Sequence, residues 1–468
     1  MDAIADTAQA ALDAARELRP AFRGDLVLPH DPDYDNARRV WNGCIDRRPA
    51  LIARCRRTED VVAALGAARA RGLEIAVRGG GHSIAGLAVA DKAVTIDLSG
   101  MGGVRVDPGT RRASVQAGSL LASVDRETQR HGLAVTSGFV SHTGVAGLTL
   151  GGGFGWMARK HGLACDNLRS AEVVLADGTV ATAGETRDRD LLWGLRGAGS
   201  NFGVTTSFEF ELHPVGPMVA TGTACYALDD GAKVLRALRE LADDAGDETT
   251  WAASVWDADQ DAPLPAESHG KPVVTLTFVH VGDVDEGLRL GRRLRAVASP
   301  LAETVGPVTY LDLQCGNDGA WRHGVRRYWK SHYLWDLPDA AIEAFLARGN
   351  SAGKGNSPIT GSLQTRGGAI SRVGEQATAV GHRGAKFEFL TASNWTDAGE
   401  DDTRRGLIRT YADAMAPYSR GVYVNNLGTE GEDRVRAAYG EEKFTRLVSL
   451  KRRYDPENVF HLNQNIRP

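Results

Sequence analysis

The chain has 468 residues, too many for one ordinary hydrophobic core, so its length predicts two domains. Hydrophobic residues make up 42% of it and charged residues 24%, which are the proportions of a globular protein. The formal net charge of −4 offers no basic surface for nucleic acid or an anionic membrane. The sequence also lacks an apolar run of about 18 residues, so we expect neither a nucleic-acid partner nor a membrane partner.

The N-terminal residues and the cysteines predict a cytoplasmic protein. Residues 1–6 are acidic and alanine-rich, without the basic and apolar segments of a secretory signal. Five cysteines are scattered at positions 44, 55, 165, 225 and 315, and they form neither a CxxC pair nor a metal-binding spacing. We therefore expect a reduced protein with no metal site.

The first elements in the chain are helical. Residues 1–20 predict an amphipathic helix rich in Ala, Asp and Arg. A second helix is predicted from Thr58, a suitable N-cap, through Arg71, with Gly72 as its stop. The apolar run 73–77 then predicts a short buried strand.

Two glycine clusters follow, and they carry most of the functional signal. The first, in residues 76–86, places three glycines and then His82 directly after the predicted strand, and the second spans residues 144–155. Consecutive glycines allow positive φ angles and expose N–H groups to phosphate oxygens. Taken alone, the first cluster could be a simple turn capped by His82. Together the two clusters predict one long cofactor that carries a pyrophosphate, and neither has the spacing of a nicotinamide-binding Rossmann fingerprint.

The rest of the chain divides into two parts by its pattern of predicted strands and helices. Short strands alternate with helices to about residue 215, and Gly216-Pro217 predicts a turn at a domain boundary. Between about 218 and 420, β-rich runs such as 273–279 and 387–391 are separated by helices such as 339–348. We expect the chain to return to the first domain near residue 421.

Several motifs resemble one known family. They are Ile52 to Cys55, Arg78 to Gly86, Ser141 to Gly144, Gly151 to Gly153, Lys160 to Leu168, Leu195 to Gly203, and the ending Tyr454 to Ile466. The sequence resembles the vanillyl-alcohol-oxidase/p-cresol-methylhydroxylase (PCMH) superfamily of FAD enzymes, and its ending resembles the berberine-bridge-enzyme-like branch. The resemblance implies an α+β fold: a PCMH-type FAD-binding domain of two α/β subdomains and a substrate domain with an antiparallel sheet backed by helices.

The resemblance also implies domain limits and cofactor contacts. The FAD-binding domain would comprise residues 1–216 and 421–468, and the substrate-binding domain residues 217–420. The residues expected to hold FAD are Arg78, Gly79, Gly80, Gly81, His82, Ser83, Gly86, Val140, Ser141, Thr143, Gly144, Gly147, Gly151, Gly152, Gly153, Gly155, Asn167, Asn425, Asn463 and Gln464.

A single covalent link to FAD is expected. In this superfamily a histidine often bonds the flavin 8α-methyl carbon, and His82 occupies that position in the motif. Some relatives carry a second link from a cysteine at the position of Val140, so that bond cannot form here. Cys165 lies near that motif, but we expect it to be a small buried hydrophobe.

Dioxygen is the expected electron acceptor, because the sequence shows no nicotinamide site and no iron–sulfur cysteines. By resemblance, Thr143 occupies the position that gates oxygen, although it could simply satisfy a loop hydrogen bond. The motif Ser141 to Gly144 and the ending Tyr454 to Ile466 also resemble the monocovalent flavin-N5-oxide oxygenase of enterocin biosynthesis. That similarity keeps an oxygenase as an alternative.

The catalytic base is expected in the second domain. Many relatives carry a tyrosine where this chain has Asn426, and an amide cannot accept a proton near neutral pH. In the strand-like run 328–333, alternation places Tyr328 and Lys330 on one face with His332. Lys330 is the first candidate and Glu388 the second, with the alternative that both only form ion pairs or face solvent.

The sequence thus predicts an FAD-dependent oxidase that takes a hydride from a small aromatic, polyketide or alkaloid-like metabolite and reduces O₂ to H₂O₂. A flavin-N5-oxide monooxygenase of secondary metabolism and a non-catalytic flavin-binding protein are the alternatives. We expect a monomer or a homodimer.

Overall fold

The computed structural model describes residues 2–350 and 357–468. The helices are α1 Asp2–Leu18, α2 Tyr34–Ala37, α3 Thr58–Arg69, α4 Leu121–Gln129, α5 Val145–Leu150, α6 Ala158–His161, α7 Arg189–Leu195, α8 Gly231–Asp244, α9 Val284–Arg289, α10 Gly291–Val297, α11 Tyr310–Cys315, α12 Asp339–Ala347, α13 Ala369–Arg372, α14 Asp401–Met415, α15 Glu432–Tyr439 and α16 Glu441–Tyr454.

The strands are β1 Asp25–Val27, β2 Leu51–Arg54, β3 Ile75–Arg78, β4 Val94–Asp97, β5 Val104–Asp107, β6 Arg112–Gln116, β7 Leu133–Ala134, β8 Leu168–Val174, β9 Val180–Gly184, β10 Val204–Glu211, β11 His213–Pro214, β12 Met218–Ala227, β13 Thr249–Asp257, β14 Pro272–His280, β15 Ala302–Thr309, β16 Arg326–Leu334, β17 Thr360–Thr365 and β18 Phe387–Trp395. This mixture of helices with largely antiparallel sheets confirms the predicted α+β class.

The first glycine cluster follows a strand of a small four-stranded sheet with the order β1-β2-β4-β3. Strands β2 and β3 both run parallel to β4, and Arg78 at the end of β3 lies beside Asp97. The helix α3 packs beside this sheet through buried apolar residues such as Val61 and Leu65. The sheet therefore delivers the glycines to its carboxyl-end edge, where ligands of open α/β sheets bind.

A second sheet, with the order β5-β6-β10-β8-β9, is antiparallel throughout. One large apolar cluster, the first core, joins both sheets. It contains Ala11 near the chain start as well as Val422 and Ile466 near the end. Residues on both sides of the seven-stranded sheet in the chain therefore share one core.

The third sheet has seven antiparallel strands in the order β15-β12-β14-β13-β17-β18-β16. Alternate residues on its central strands, such as Ala253, Leu363 and Phe389, form a second core with the helices α8, α12 and α14. The intervening residues face the opposite side. Because strand side chains alternate between faces, one sheet supplies both a core and the wall of a cavity.

The two cores agree with the expected pair of domains, and the exact limits 1–216 with 421–468 and 217–420 stay a prediction. Several buried polar contacts join them. The Ser141 Oγ donates to Asp318 Oδ2 at 2.6 Å, and the buried pair Arg383 and Asp166 lies at 2.6 Å. Within the described residues, no helix is long and apolar enough to cross a membrane.

The limits of the second predicted helix differ slightly from the structure. The helix α3 begins with Thr58 inside its first turn and Arg57 as the N-cap, so the expectation that Thr58 caps the helix is wrong. The Thr58 hydroxyl instead donates to Glu172 Oε1 at 2.7 Å. The helix ends two residues earlier than expected, and Gly72, with φ +63°, terminates this segment as predicted.

Candidate active site

A cavity of about 550 Å³ lies between the two glycine loops and the seven-stranded sheet. Many residues expected to hold FAD line it: Gly79, Gly80, Gly81, His82, Ser83, Val140, Thr143, Gly144, Gly147, Gly151, Asn425, Asn463 and Gln464. The sheet contributes Ala252, Ser254, Ser362, Gln364, Glu388 and Leu390 from alternate positions of β13, β17 and β18. The cavity therefore brings the predicted cofactor loops and the predicted substrate domain together.

The two glycine loops touch each other through their backbones. A Cβ atom added to Gly80 would lie 2.5 Å from Cα of Gly144, so both positions require glycine. In the described part of the chain, the backbone N–H groups of residues 80–83 donate no hydrogen bond. Such free N–H groups in a glycine turn form an anion-binding concavity. The first loop therefore fits the pyrophosphate of FAD.

Residues near the C-terminus close the same cavity. Asn425 Nδ2 donates to Leu148 O at 3.0 Å, which fixes the side chain against the second glycine loop. Asn463 Nδ2 donates to Ser200 O at 3.2 Å, whereas its Oδ1 is buried and has no hydrogen-bond partner in the described structure. A buried acceptor left unpaired on a cavity wall fits a ligand that carries hydroxyl or N–H donors.

Some predicted FAD residues do not line the cavity: Arg78, Gly86, Ser141, Gly152, Gly153, Gly155 and Asn167. Several of them hold the surrounding loops. A Cβ on Gly86 would collide with Ile45, Ser141 is bound to Asp318, and Asn167 Nδ2 donates to Leu163 O at 2.9 Å. These residues shape the site without facing it.

His82 lies at one end of the cavity, between an indole and another imidazole. Its ring stacks on Trp41 with a centroid distance of 4.2 Å, and its Nε2 lies 3.0 Å from His142 Nδ1. Burial, with smaller effects from His142, His323 and Arg327, lowers the pKa of His82 to about 2. His82 is therefore neutral at physiological pH and keeps a nitrogen lone pair, which a covalent link to carbon requires.

Glu388 is the carboxyl group on the sheet side of the cavity. It is 7% exposed, and its Oε1 accepts a hydrogen bond of 2.6 Å from Asn426 Nδ2. Burial raises the pKa of Glu388 to about 7, while Arg366 and the Asn426 hydrogen bond oppose that shift. A carboxylate with a pKa near neutrality suits proton abstraction.

Lys330, the first candidate for the catalytic base, lies outside the cavity. Tyr328, Lys330 and His332 share one face of β16, as alternation predicted, but that face packs toward α14: His332 Nε2 lies 2.9 Å from Ala412 O. Lys330 Nζ forms an ion pair with Glu430 Oε2 at 2.7 Å, and neither Lys330 nor Tyr328 lines the cavity. The expectation of a free, desolvated Lys330 in the site is therefore corrected. The face of β16 that lines the cavity is the opposite one, which carries Trp329.

The sequence also singled out Thr143 and Cys165, and only Thr143 lines the cavity. Thr143 faces the cavity, and its backbone carbonyl also accepts from Leu121 N at 2.9 Å. Cys165 is fully buried, and burial raises the pKa of its thiol well above the usual value, which makes it the inert hydrophobe expected from the sequence. The aromatic lining by Trp41, Trp321 and Trp329 gave no sequence signal, because these residues come from separate loops and strands.

The sequence did not predict that Asn426 contacts Glu388. The amide cannot act as a base, but it holds the carboxyl group of Glu388 from the adjacent loop. Two of the Glu388 neighbours, Asn426 and Gln364, also line the cavity. The signal was present in the sequence as a polar residue directly after Tyr423-Val424-Asn425, although its partner lies 38 residues earlier.

Two family profiles match the chain. The one described as "FAD binding domain" matches residues 49–184, and the one described as "Berberine and berberine like" matches residues 412–467. An FAD-linked oxidoreductase of Dictyostelium discoideum is 30% identical over 460 residues, covering 97% of this chain and 96% of the relative. The chain belongs to the berberine-like family of FAD-linked oxidoreductases.

Named relatives include oxidases of small molecules. (R)-6-hydroxynicotine oxidase of Paenarthrobacter nicotinovorans is 29% identical over 459 residues, covering 96% of this chain and 97% of the relative. The crystal structure of 6-hydroxy-D-nicotine oxidase from Arthrobacter nicotinovorans superposes with a TM-score of 0.83 at 28% identity, covering 96% of this chain and 98% of that one. A moss berberine-bridge-enzyme-like protein from Physcomitrella patens, at 23% identity and a TM-score of 0.86, shares the fold. This family member is therefore an FAD-linked oxidoreductase.

Proposed function

We propose that this enzyme is an oxidase that removes a hydride from a small organic metabolite, transfers the electrons to O₂ and releases H₂O₂, with FAD linked only to His82. The observation that carries the proposal is Glu388, a buried carboxyl group with a pKa near 7 in the wall opposite the glycine loops. Placed there, Glu388 faces the space in which a substrate would meet the flavin.

The chain divides the work between two walls. FAD, when bound, accepts the hydride and later passes electrons on. The N–H groups of residues 80–83 would hold its pyrophosphate, and His82 would fix its ring system. Glu388 takes the proton of a substrate O–H or N–H group, and Asn426 keeps that carboxyl group oriented. The loss of this proton makes the adjacent C–H bond a better hydride donor.

The lining supports an aromatic, polyketide or alkaloid-like substrate. Phe139, Phe154, Trp156 and Trp329 supply aromatic surface in the lining of the cavity. Flat apolar molecules gain free energy by packing against such aromatic walls. The relative named (R)-6-hydroxynicotine oxidase acts on a compound of this kind.

An oxygenase is the second candidate. Thr143 and Leu148 both line the cavity, and a small residue at position 143 leaves room for O₂ next to the flavin. The resemblance to the flavin-N5-oxide oxygenase of enterocin biosynthesis supports it further. A relative named FAD-dependent monooxygenase, from Fusarium proliferatum, is 40% identical over 172 residues, which is 36% of this chain. Incorporation of ¹⁸O from ¹⁸O₂ into product would identify the oxygenase.

The test uses the purified enzyme and two probes, (R)-6-hydroxynicotine and xylobiose. Anaerobic mixing with (R)-6-hydroxynicotine is expected to bleach the flavin absorbance, and admission of air to restore it with one H₂O₂ per substrate. Xylobiose should leave the flavin oxidised. Bleaching by xylobiose alone would contradict the substrate class, and a flavin that no aromatic amine, phenol or alcohol reduces would favour a non-catalytic flavoprotein.

We further propose that the enzyme works in the cytoplasm as a monomer or homodimer. All five cysteines are unpaired, and three of them are buried. Unpaired cysteines agree with a reducing compartment.

A further inference from the structure

Arg366 is a buried cation whose guanidinium group has no hydrogen-bond partner. It directly follows the last residue of β17 and is 1% exposed. Its Nε, Nη1 and Nη2 atoms are all buried, and none of them has a hydrogen-bond partner in the described part of the chain. A buried charge is costly unless an opposite charge or several hydrogen bonds compensate it. An unpaired guanidinium therefore points to a negative charge that is present only in some states of the site.

The sheet places Arg366 and Glu388 on the same face. Gln364 of β17 and Tyr333 of β16 both lie directly opposite Glu388, one on each side of β18. Arg366 is two residues beyond Gln364, and its N–H group donates to Lys386 O at 2.7 Å, which continues the pairing with β18. Because strand side chains alternate between faces, Arg366 shares the face of Gln364 and is a diagonal neighbour of Glu388.

The guanidinium group reaches across β18. Its Cζ atom lies 4.2 Å from the centre of the Tyr333 ring and 5.4 Å from the centre of the Phe154 ring. Tyr333 belongs to β16, and β18 separates β16 from the strand that leads to Arg366. The side chain therefore passes over β18 beside Glu388. The aromatic rings hold the cation in place but leave it charged, so it can act on a neighbouring carboxylate.

Several other titratable or charged groups surround Glu388 and Arg366. They are Tyr333, Tyr423, His382, Lys386 and Arg159. Burial raises the pKa of both tyrosines and lowers the pKa of His382, so all three side chains are neutral near pH 7. Lys386 Nζ is paired with Asp243 at 2.6 Å, and Arg159 Nη1 donates to the backbone carbonyl of Arg366. Arg366 is the cation that lowers the pKa of Glu388 against the effect of burial.

We propose that Arg366 is a positioning residue that stabilises the ionised carboxylate of Glu388 inside the wall of the cavity. The inference rests on Glu388 as the base of the proposed function. When Glu388 takes a proton from the substrate O–H or N–H group, the guanidinium group is left without a counter-charge. Arg366 thereby also favours the return of that proton to solvent before the next turnover.

The experiment titrates Glu388 directly in the purified, flavin-containing enzyme. Infrared spectra recorded between pH 5 and 10 follow the C=O band of protonated carboxyl groups, and subtraction of the Glu388→Gln spectra isolates Glu388. The variants are Arg366→Met, which removes the charge but keeps a long flexible side chain, and Arg366→Lys, which keeps the charge. The control is Lys330→Met, which removes a cation from the opposite face of the same sheet.

The wild type and the control are expected to titrate with a midpoint of about 7. In Arg366→Met the midpoint should rise by about one to three units, because the opposite charge is lost, and in Arg366→Lys it should stay close to the wild type. With (R)-6-hydroxynicotine as substrate at pH 6, flavin reduction in Arg366→Met should slow about tenfold for each unit of that rise. Arg366→Met should also melt no lower than the wild type at pH 6, because it removes a buried charge that is unpaired while Glu388 is protonated.

Two results would overturn the inference. One is a wild-type midpoint in Arg366→Met, and the other is an Arg366→Met protein that does not fold, since the guanidinium group would then serve the fold. The base itself is tested separately. A raised midpoint in Arg366→Met together with an unchanged reduction rate in Glu388→Gln would overturn Glu388 as the base and leave its ionisation by Arg366 standing.

Discussion

The loop wall of the cavity, residues 79–83 and 138–151, and the sheet wall, formed by β13, β17 and β18, face one another but are built differently. The loop wall is built from backbone: Gly80 and Gly144 are in contact, and the N–H groups of residues 80–83 donate no hydrogen bond within the described residues. The sheet wall works through side chains such as Glu388. Cofactor binding should therefore be sensitive to added volume in the loops, and chemistry to single side chains on the sheet.

The largest expected effect is on the loop wall. Gly80→Ala places a methyl group 2.5 Å from Cα of Gly144, so the loops must separate. We expect FAD binding to be lost, measured as the flavin absorbance of the purified protein. Gly66→Ala is the control, because its Cβ meets nothing within 4 Å in α3. Helix propensity should make this control more stable by about 0.5–1 kcal/mol. A Gly80→Ala protein that keeps the flavin absorbance would show that FAD binding tolerates added volume in the loops.

On the sheet wall, Glu388→Gln should slow anaerobic flavin reduction by roughly 10²–10⁴-fold while FAD stays bound, because the amide cannot accept a proton. Lys330→Met removes the Glu430 ion pair outside the cavity and should leave the reduction rate unchanged. Stopped-flow absorbance measures both. A larger loss of reduction rate in Lys330→Met than in Glu388→Gln would identify Lys330 as the base.

The pH profile sharpens the same assignment. Because the pKa of Glu388 is raised to about 7, the ionised base is lost as the pH falls through that value. The rate constant for flavin reduction should therefore rise about tenfold per pH unit below 7 and level off above it. A wild-type profile that is flat between pH 5 and 9 would exclude Glu388 as the base.

A moderate effect is expected at Thr143, which lines the loop wall of the cavity. Thr143→Leu fills the space proposed for O₂ and should slow reoxidation of the reduced enzyme by roughly tenfold, the scale of about 1.4 kcal/mol in a barrier. Flavin reduction by substrate should hardly change. The measurement is the reoxidation rate at several O₂ concentrations, and unchanged reoxidation would place the oxygen path elsewhere.

The smallest effect is expected outside the cavity, at a contact between α4 and α11. Asp125 is fully buried next to Gln314 and Ser137, and burial raises its pKa to about 7. The folded state thus holds a proton that the unfolded state releases above about pH 4, so stability falls as the pH rises toward 7. Asp125→Asn should melt a few °C higher than the wild type at pH 8, with the gap closing near pH 4. Equal melting temperatures at pH 8 would contradict the raised pKa.

The glycine loops could be predicted from the sequence because the backbone conformations that require glycine are determined by neighbouring residues. Three adjacent glycines and a following histidine are visible in the sequence whatever the tertiary structure, and Gly79 to Ser83 do line the cavity. The α+β class and the return of the chain near residue 421 followed from texture and family motifs.

The positions of Lys330 and Glu388 relative to the cavity could not be predicted in the same way. Alternation along β16 correctly placed Tyr328 and Lys330 together, but alternation does not state which face meets the helices. That choice depends on the packing of α14 against the sheet, a contact between distant parts of the chain. The support of Glu388 by Asn426 is equally non-local.

The closing of the cavity by Asn425, Asn463 and Gln464 has a thermodynamic consequence. A buried ion pair of 2.7 Å between Lys451 and Asp455 anchors the segment that precedes Asn463, and Lys451 Nζ also donates to Asn201 O at 2.8 Å. A ligand held against this wall binds only while the wall is folded. Its binding free energy therefore adds to the stability of the folded chain, and saturating ligand should raise the melting temperature.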